Sequence, residues 1–173
     1  GAVPPLSAMD AVVCMGASVG MAIGFDKADP EAHKHSVAVI GDSTFFHSGM
    51  TGLIDAVYNK AKITVIILDN RTTGMTGHQN HPATGKTIKN EDTYELDLAE
   101  VCRAVGVKNV RTVNPNDLAE TEKAVKEELA KEEVSVIIAK KPCVLLTKKL
   151  YNGFKVNEKC KKCKACLKLG CPA

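Results

Sequence analysis

Short runs of β-branched and aliphatic residues alternate along this chain with longer amphipathic stretches. Residues 36–40 and 63–68 are two such runs, ended by the turn formers Gly41-Asp42-Ser43 and Asp69-Asn70-Arg71. They predict two strands, with residues 48–61 as the helix crossing between them. Residues 107–113 and 134–139 predict two further strands, and Pro142 ends the last. Residues 97–105 predict a helix. Asn116 or Asp117 caps another that runs to about Lys131 with Glu and Lys along its outer face. Residues 10–25 carry small and apolar residues at helical spacing, with Gly16, Gly20 and Gly24 every fourth position. That stripe predicts a helix face packed closely on the sheet. The alternation throughout predicts an α/β fold: a mostly parallel sheet with helices on both faces.

From about residue 150 the apolar periodicity stops and Lys and Cys dominate. A boundary is expected between 147 and 157, giving a main domain over 1–148 and a short segment over 149–173. The chain begins at Gly1 and not Met, and is expected to be a piece of a longer polypeptide.

Composition narrows the function classes. At 173 residues and 45% apolar content the chain can bury one substantial core. A net charge of +3, 4% aromatic residues and no Trp give no case for nucleic-acid binding. The longest uncharged stretch, 11–25, is too short to span a bilayer, and no basic segment precedes it. A cytoplasmic location is expected.

A right-handed crossover puts both strand ends on one edge of the sheet. Asp42 and Asn70, 28 positions apart, then face one crevice, the usual ligand site of open α/β sheets. One carboxylate and one amide oxygen suit Mg²⁺, which fills its other positions with phosphate oxygens and water. Gly41, Ser43 and Thr44 lead from strand into helix, where backbone N–H groups and hydroxyls can receive phosphate. An ordinary helix cap is the plainer reading. The loop over 71–91 is long for a compact domain, a sign of function or disorder.

Gly41-Asp42-Ser43 followed by Asp69-Asn70 resembles the thiamine diphosphate fingerprint, Gly-Asp-Gly then Asn-Asn. Gly74-Met75-Thr76-Gly77-His78-Gln79 is similar to a loop of 2-oxoacid:ferredoxin oxidoreductases. Val13-Cys14-Met15-Gly16-Ala17-Ser18 and Phe46-His47-Ser48-Gly49 resemble the large subunit of the indolepyruvate:ferredoxin oxidoreductases. The resemblance implies a thiamine diphosphate-binding fold with Mg²⁺ held by the Asp42 and Asn70 side chains and the Thr72 backbone carbonyl. It places Gly16, Ala17, Ser18, Gly41, Ser43, Thr44, Thr73, Gly74, Met75 and Thr76 around the cofactor. His47 and His78 are candidate catalytic groups near the thiazolium, set against a capping role for His47 and plain exposure for His78. Met75 is expected to pack as an apolar contact. Two departures stand out: Ser43 replaces the last Gly of the fingerprint, and Asp69 replaces the first Asn. His33, His35 and His81 are expected to be solvated.

The seven cysteines divide unevenly. Cys14, Cys102 and Cys143 read as buried small hydrophobes. The other four form Cys160-x2-Cys163-x2-Cys166-x4-Cys171-Pro172. Bacterial ferredoxins use almost this run, with one residue fewer in the last gap. Cys160, Cys163 and Cys166 then serve a first [4Fe–4S] cluster and Cys171 a second, as half of a two-cluster module. A four-Cys zinc site competes.

The implied activity is oxidative decarboxylation of arylpyruvates, indolepyruvate foremost, to acyl-coenzyme A. Electrons would pass through [4Fe–4S] clusters to ferredoxin. The implied partners are a pyrimidine-binding domain carrying the activating Glu, a smaller subunit and ferredoxin, in a dimer or hetero-oligomer. The chain alone is expected to be inert. The alternatives are a related pyruvate or 2-oxoglutarate enzyme, a non-oxidative thiamine decarboxylase or synthase, and an iron–sulfur electron-transfer module.

Overall fold

Four parallel strands make one sheet in the order β1-β2-β4-β3. They are β1 (Val37–Gly41), β2 (Thr64–Asp69), β3 (Asn109–Val113) and β4 (Ser135–Lys140). The computed structural model describes residues 4, 6–146 and 156–168. The chain divides into a unit over Cys14–Leu146, which holds the whole sheet, and a second made of Gly1–Val13 and Thr147–Ala173.

Strand alternation sends Ala38, Ile40, Val65, Ile67, Val136 and Ile138 into one core. There they meet Val19 and Ala22 of α1 (Ala17–Ala28), Leu53 and Ala56 of α3 (Met50–Tyr58), and Leu98 and Cys102 of α4 (Leu98–Ala104). Each large aliphatic buried this way contributes roughly 1.5–3 kcal/mol. On the other face Val113, Ile137 and Ala139 pack with Ala124 of α5 (Leu118–Leu129). Helices thus lie on both faces, but α5 covers only the β3–β4 half. Val39 and Leu68, on the β1–β2 half, stay 43% and 45% exposed.

Asp97 and Asp117 start α4 and α5, accepting from the backbone N–H of Glu100 at 2.9 Å and Glu120 at 3.0 Å. The first helix departs from expectation. It begins at Ala17, because Gly16 sits in the left-handed region at φ 88° and stops any N-terminal extension. Its glycine stripe also faces outward: Gly20 and Gly24 are exposed, and a Cβ on either would meet nothing within 4 Å. The larger apolar gain from Val19 and Ala22 decides which face turns inward.

The crossover helix starts earlier than expected, directly at the end of β1. A single turn, α2 (Asp42–Thr44), passes into a π-helical turn over Phe45–Gly49 and then into α3. The wide turn drives Phe45 into the core and brings Gly49 against Ile40, where a Cβ would fall 2.6 Å from the Ile40 side chain.

The expectations for Cys14, Cys143 and His33 change. Cys102 is buried, but Cys14 is exposed and Cys143 only half-buried. His33 is buried, with its Nδ1 2.9 Å from the Pro30 carbonyl oxygen. In the second unit α6 (Ala165–Lys168) follows the exposed Cys160 and Cys163, with Cys166 exposed on it. Cys171 lies outside the described residues. Among the described residues no helix is long and apolar enough to cross a membrane.

Candidate functional site

β1 and β2 pair with Gly41 beside Leu68, so Asp42 and Asp69 leave neighbouring strands side by side and Asn70 follows one residue on. Asp42 is 2% exposed at this edge. Its Oδ1 accepts from the Ser43 N–H at 2.7 Å and its Oδ2 from the Arg71 N–H at 2.9 Å. Burial works to raise its pKa. The nearby His81 and the two backbone donors outweigh burial and hold the carboxyl below its ordinary value.

Arg71 is held at φ 63°, an uncommon backbone for a non-glycine residue. Its N–H is shared, lying 3.2 Å from Asp69 Oδ1 as well. Its guanidinium pairs with Glu95 at 2.7 Å and stands 4.0 Å from Asp69. Burial pushes the Asp69 pKa up, Arg71 offsets part of that, and the neighbouring Asp42 adds to it.

Asn70 Oδ1 accepts from the Thr72 N–H at 3.1 Å, and its backbone carbonyl accepts from Cys143 N–H at 2.9 Å. The Thr73 hydroxyl donates to Ser43 Oγ at 2.9 Å, tying the loop after β2 to the turn after β1. A Cβ at Gly74 would stand 3.8 Å from Asn70 Nδ2. Gly41 is regular extended backbone at φ −76°, and a Cβ there would meet nothing within 4 Å. The chain's own packing therefore does not demand glycine at 41. The start of α1 joins through Gly16, which lies so close to Ser48 that a Cβ would fall 2.2 Å from its Oγ. Ser48 in turn donates to the Thr44 carbonyl at 3.1 Å.

The structure thus gathers Asp42, Ser43, Asn70, Thr72, Thr73 and Gly74 at two adjacent strand ends, with Gly16 and Thr44 linked through Ser48. Gly41 adjoins them at the end of β1, and Ala17 and Ser18 follow Gly16 in α1, whereas Met75, Thr76, His47 and His78 stand apart. An antiparallel bridge between Thr73 and Gln79 closes a turn, inside which Thr76 donates to the Gln79 side chain at 2.6 Å. At its tip Met75 is 92% exposed, not packed, and His78 is exposed at φ 63°. His47, on the π turn, is also exposed. Among the described residues no three His, Cys, Asp or Glu side chains gather into a metal-binding group. A hollow of about 310 Å³ opens at the opposite ends of the strands, beside Lys60, Lys108 and Glu132. Among the described residues, the buried side chains with an unpartnered polar atom, Ser18, Thr72, His81 and Ser135, all lie outside it.

His81 corrects the sequence reading most sharply. Expected in solvent, it is buried at 7% exposure. Its Nδ1 accepts from the Ala83 N–H at 3.3 Å as the cap of the 3₁₀ turn Pro82–Thr84. Its Nε2 lies 3.2 Å from Asp42 Oδ2. The ring also tilts against Phe46, centroids 6.1 Å apart. The local signal for its order was present in the sequence: a Pro follows at the first position of the turn and Thr84 completes a capping box.

The family model described as thiamine pyrophosphate enzyme, C-terminal TPP binding domain, matches residues 2–139. Indolepyruvate oxidoreductase subunit IorA of Methanothermobacter thermautotrophicus is 42% identical over 176 residues, covering 100% of this chain and 28% of that protein. The IorA of Archaeoglobus fulgidus is 39% identical over 176 residues, with coverage of 98% and 28%. That of Pyrococcus horikoshii is 37% identical over 193 residues, with coverage of 100% and 30%. The chain therefore spans less than a third of these relatives. Among solved structures, the 2-oxoglutarate:ferredoxin oxidoreductase from Magnetococcus marinus, solved with 2-oxoglutarate, coenzyme A and succinyl-CoA bound, superposes with TM-score 0.64 at 17% identity. It covers 74% of this chain and 45% of that one. A thiamin diphosphate-dependent enzyme from Mycobacterium smegmatis gives TM-score 0.54 at 22% identity, with coverage of 75% and 22%. These two likenesses establish the fold. A family match that runs from before the first helix to the last strand takes in both strand ends and the loop after β2, and the chain belongs to the C-terminal thiamine pyrophosphate-binding domains of thiamine pyrophosphate enzymes.

Proposed function

We propose that this chain is the diphosphate- and Mg²⁺-binding part of an indolepyruvate:ferredoxin oxidoreductase, followed from about residue 149 by the start of a ferredoxin-type segment. The observation that carries it is the buried Asp42 carboxylate beside Asn70 at adjacent strand ends.

The donor set fits the group. A carboxylate has about four acceptor positions and an amide oxygen two. The Ser43 and Arg71 N–H groups occupy two positions on Asp42 and the facing His81 ring obstructs a third, leaving one open on Oδ1. Thr72 N–H occupies one on Asn70 Oδ1, leaving another. One oxygen from each side chain, with the Thr72 carbonyl, suits a Mg²⁺ that takes its remaining ligands from diphosphate and water. The hydroxyls of Ser18 and Thr72 are buried without partners, as acceptor-seeking groups near a phosphate would be. The open space before Gly41 leaves room for a ligand against backbone.

Thiamine diphosphate, when bound, supplies the chemistry by which a 2-oxo acid loses carbon dioxide. The residues of this chain hold and orient. Asp42 and Asn70 fix the cation. Gly16 keeps the first turn of α1 close to Ser48, which is bonded to the Thr44 carbonyl, and these groups would flank the diphosphate. Gly74, Met75 and Thr76, on the loop after β2, would line the cofactor when it is bound. His47 and His78, exposed in this chain, are available to hydrogen-bond a substrate carboxylate. Cys160, Cys163 and Cys166 supply thiolates for one [4Fe–4S] cluster, and Cys171 for another; three exposed thiols gathering only on the cluster is usual for sites that form with their metal. Reduced cysteines go with a cytoplasmic setting. The names of the IorA relatives support indolepyruvate as substrate, and coenzyme A and ferredoxin as acceptors follow from the same reading. A pyrimidine-binding domain and a smaller subunit complete the assembly.

Titration calorimetry of thiamine diphosphate with and without Mg²⁺, on the wild type and Asp42→Ala, tests the cofactor site. Mg²⁺-dependent binding lost in Asp42→Ala is expected. Binding indifferent to Mg²⁺ or to the substitution removes the reading.

A further inference from the structure

We propose that His81 is the positioning residue of the cation site: it fixes the rotation of the Asp42 carboxylate so that one lone pair of Oδ1 is left facing the ion. The inference rests on the Mg²⁺ reading above and goes beyond it to a residue outside the fingerprint.

The ring is locked from three sides. Nδ1 receives the Ala83 N–H at 3.3 Å, so that nitrogen carries no proton and the neutral ring bears its proton on Nε2. Nε2 is the atom that faces Asp42 Oδ2, 3.2 Å away. The ring tilts at 33° to that of Phe46 with centroids 6.1 Å apart, and Phe46 lies four residues along the same helical run that Asp42 begins. Both partners are nearly dry, with side chains 3% exposed.

Nε2–H does not meet Oδ2 in line, and among the described residues it has no hydrogen-bond partner. Its role is therefore not a saturated hydrogen bond. It presents a positive edge and a steric wall to one oxygen while the Arg71 N–H holds that oxygen from another direction. A carboxylate rotating about its χ2 would have to leave both. With Oδ2 engaged and Ser43 N–H on Oδ1, the approach left to a cation is the second lone pair of Oδ1. Groups that orient metal ligands in this way typically change metal affinity by about 10- to 100-fold when removed.

The two ring nitrogens do separable work, which makes the inference testable. His81→Asn keeps an acceptor at the height of Nδ1 and so keeps the cap on Ala83, while removing the group that faces Asp42. His81→Gln extends an amide N–H to the height of Nε2 but gives up the cap. Mg²⁺ affinity in the presence of thiamine diphosphate is measured by calorimetry on the full chain, with the apo melting temperature recorded for each variant. His81→Asn should bind Mg²⁺ about 10-fold more weakly at an unchanged melting temperature, and His81→Gln should recover most of that loss despite melting lower. Wild-type affinity in His81→Asn overturns the proposal. So does an affinity that merely follows the melting temperature across the variants, or a Gln variant no better than Asn. Wild type and Asp42→Ala are run beside them: Mg²⁺-independent binding in the wild type removes the cofactor site itself, whereas normal wild-type binding with a normal His81→Asn removes only this role.

Discussion

Gly16→Ala is the most informative single substitution at the start of the first helix, because two separate penalties converge on one methyl group. The backbone there sits at φ 88°, where an L side chain is disfavoured by roughly 1–2 kcal/mol. The new Cβ would also fall 2.2 Å from Ser48 Oγ and 2.9 Å from Ser48 Cβ, so the helix start or the π turn must shift. Overpacking of this kind typically costs about 1–3 kcal/mol. The expected loss is therefore about 2–5 kcal/mol, measured by urea denaturation of the full chain with the slope checked for two-state behaviour. Ser48→Gly separates the two parts. Alone it should destabilise by about 1–2 kcal/mol through helix propensity and the lost bond to the Thr44 carbonyl. Combined with Gly16→Ala it removes both clashing atoms, so the double variant should be about 1–3 kcal/mol more stable than the sum of the singles predicts. A loss below about 1 kcal/mol for Gly16→Ala, or a coupling within about 0.5 kcal/mol of zero, refutes the close approach of α1 to the π turn.

Further expectations concern charge, burial and capping. Asp69 carries a pKa raised above its ordinary 3.8, so its charged form opposes folding: the favourable state is complete below about that pH and is lost as pH rises through the raised value. Asp69→Asn should therefore melt higher than wild type at pH 7, with the gap closing in acid, and thermal melts in which the gap stays constant with pH would contradict this. Burial pushes the Cys102 thiol from 9.0 to about 12, so it should resist a thiol reagent at pH 8 while the exposed Cys14 reacts, and stability should fall as pH climbs from 9 toward 12. Equal labelling of the two at native pH would count against the burial. Asp117→Ala removes the acceptor for the Glu120 N–H and should cost about 1 kcal/mol in a chemical melt, whereas Asn at the same position should cost little.

The sheet was legible because its signal is local. Residues 63–68 form a β-branched run with turn residues behind it, and a strand at Thr64–Asp69 is what the backbone adopts. The cap of α5 was readable as Asn116 or Asp117, since a cap needs only its own next turn; Asp117 takes the role, and Asp97, read only as the first residue of its helix, caps α4. The orientation of α1 was not. A stripe of glycines and a stripe containing Val19 and Ala22 share one helix, and only the burial available from β1 and α3 selects between them. The pairing of Asp42 with the strand end after β2 followed from crossover handedness, a rule about topology. The burial of His81 required knowing that Phe46 and Asp42 lie across from the loop, a contact 39 positions distant in sequence for the carboxylate. The placement of Met75 on an exposed tip depended on the bridge between Thr73 and Gln79, which no periodicity announces.

The wide turn over Phe45–Gly49 divides the long crossover into segments answering to different masters. Its leading residues are aligned by the strand they leave; its trailing residues are aligned by Leu53 and Ala56 against the sheet. The surplus residue absorbs the angular mismatch of about 100° per position between these two demands. Shortening the turn by one residue would thus leave each half internally sound but force one of them to rotate off its footing, so this stretch should tolerate exchange of side chains far better than any change in length.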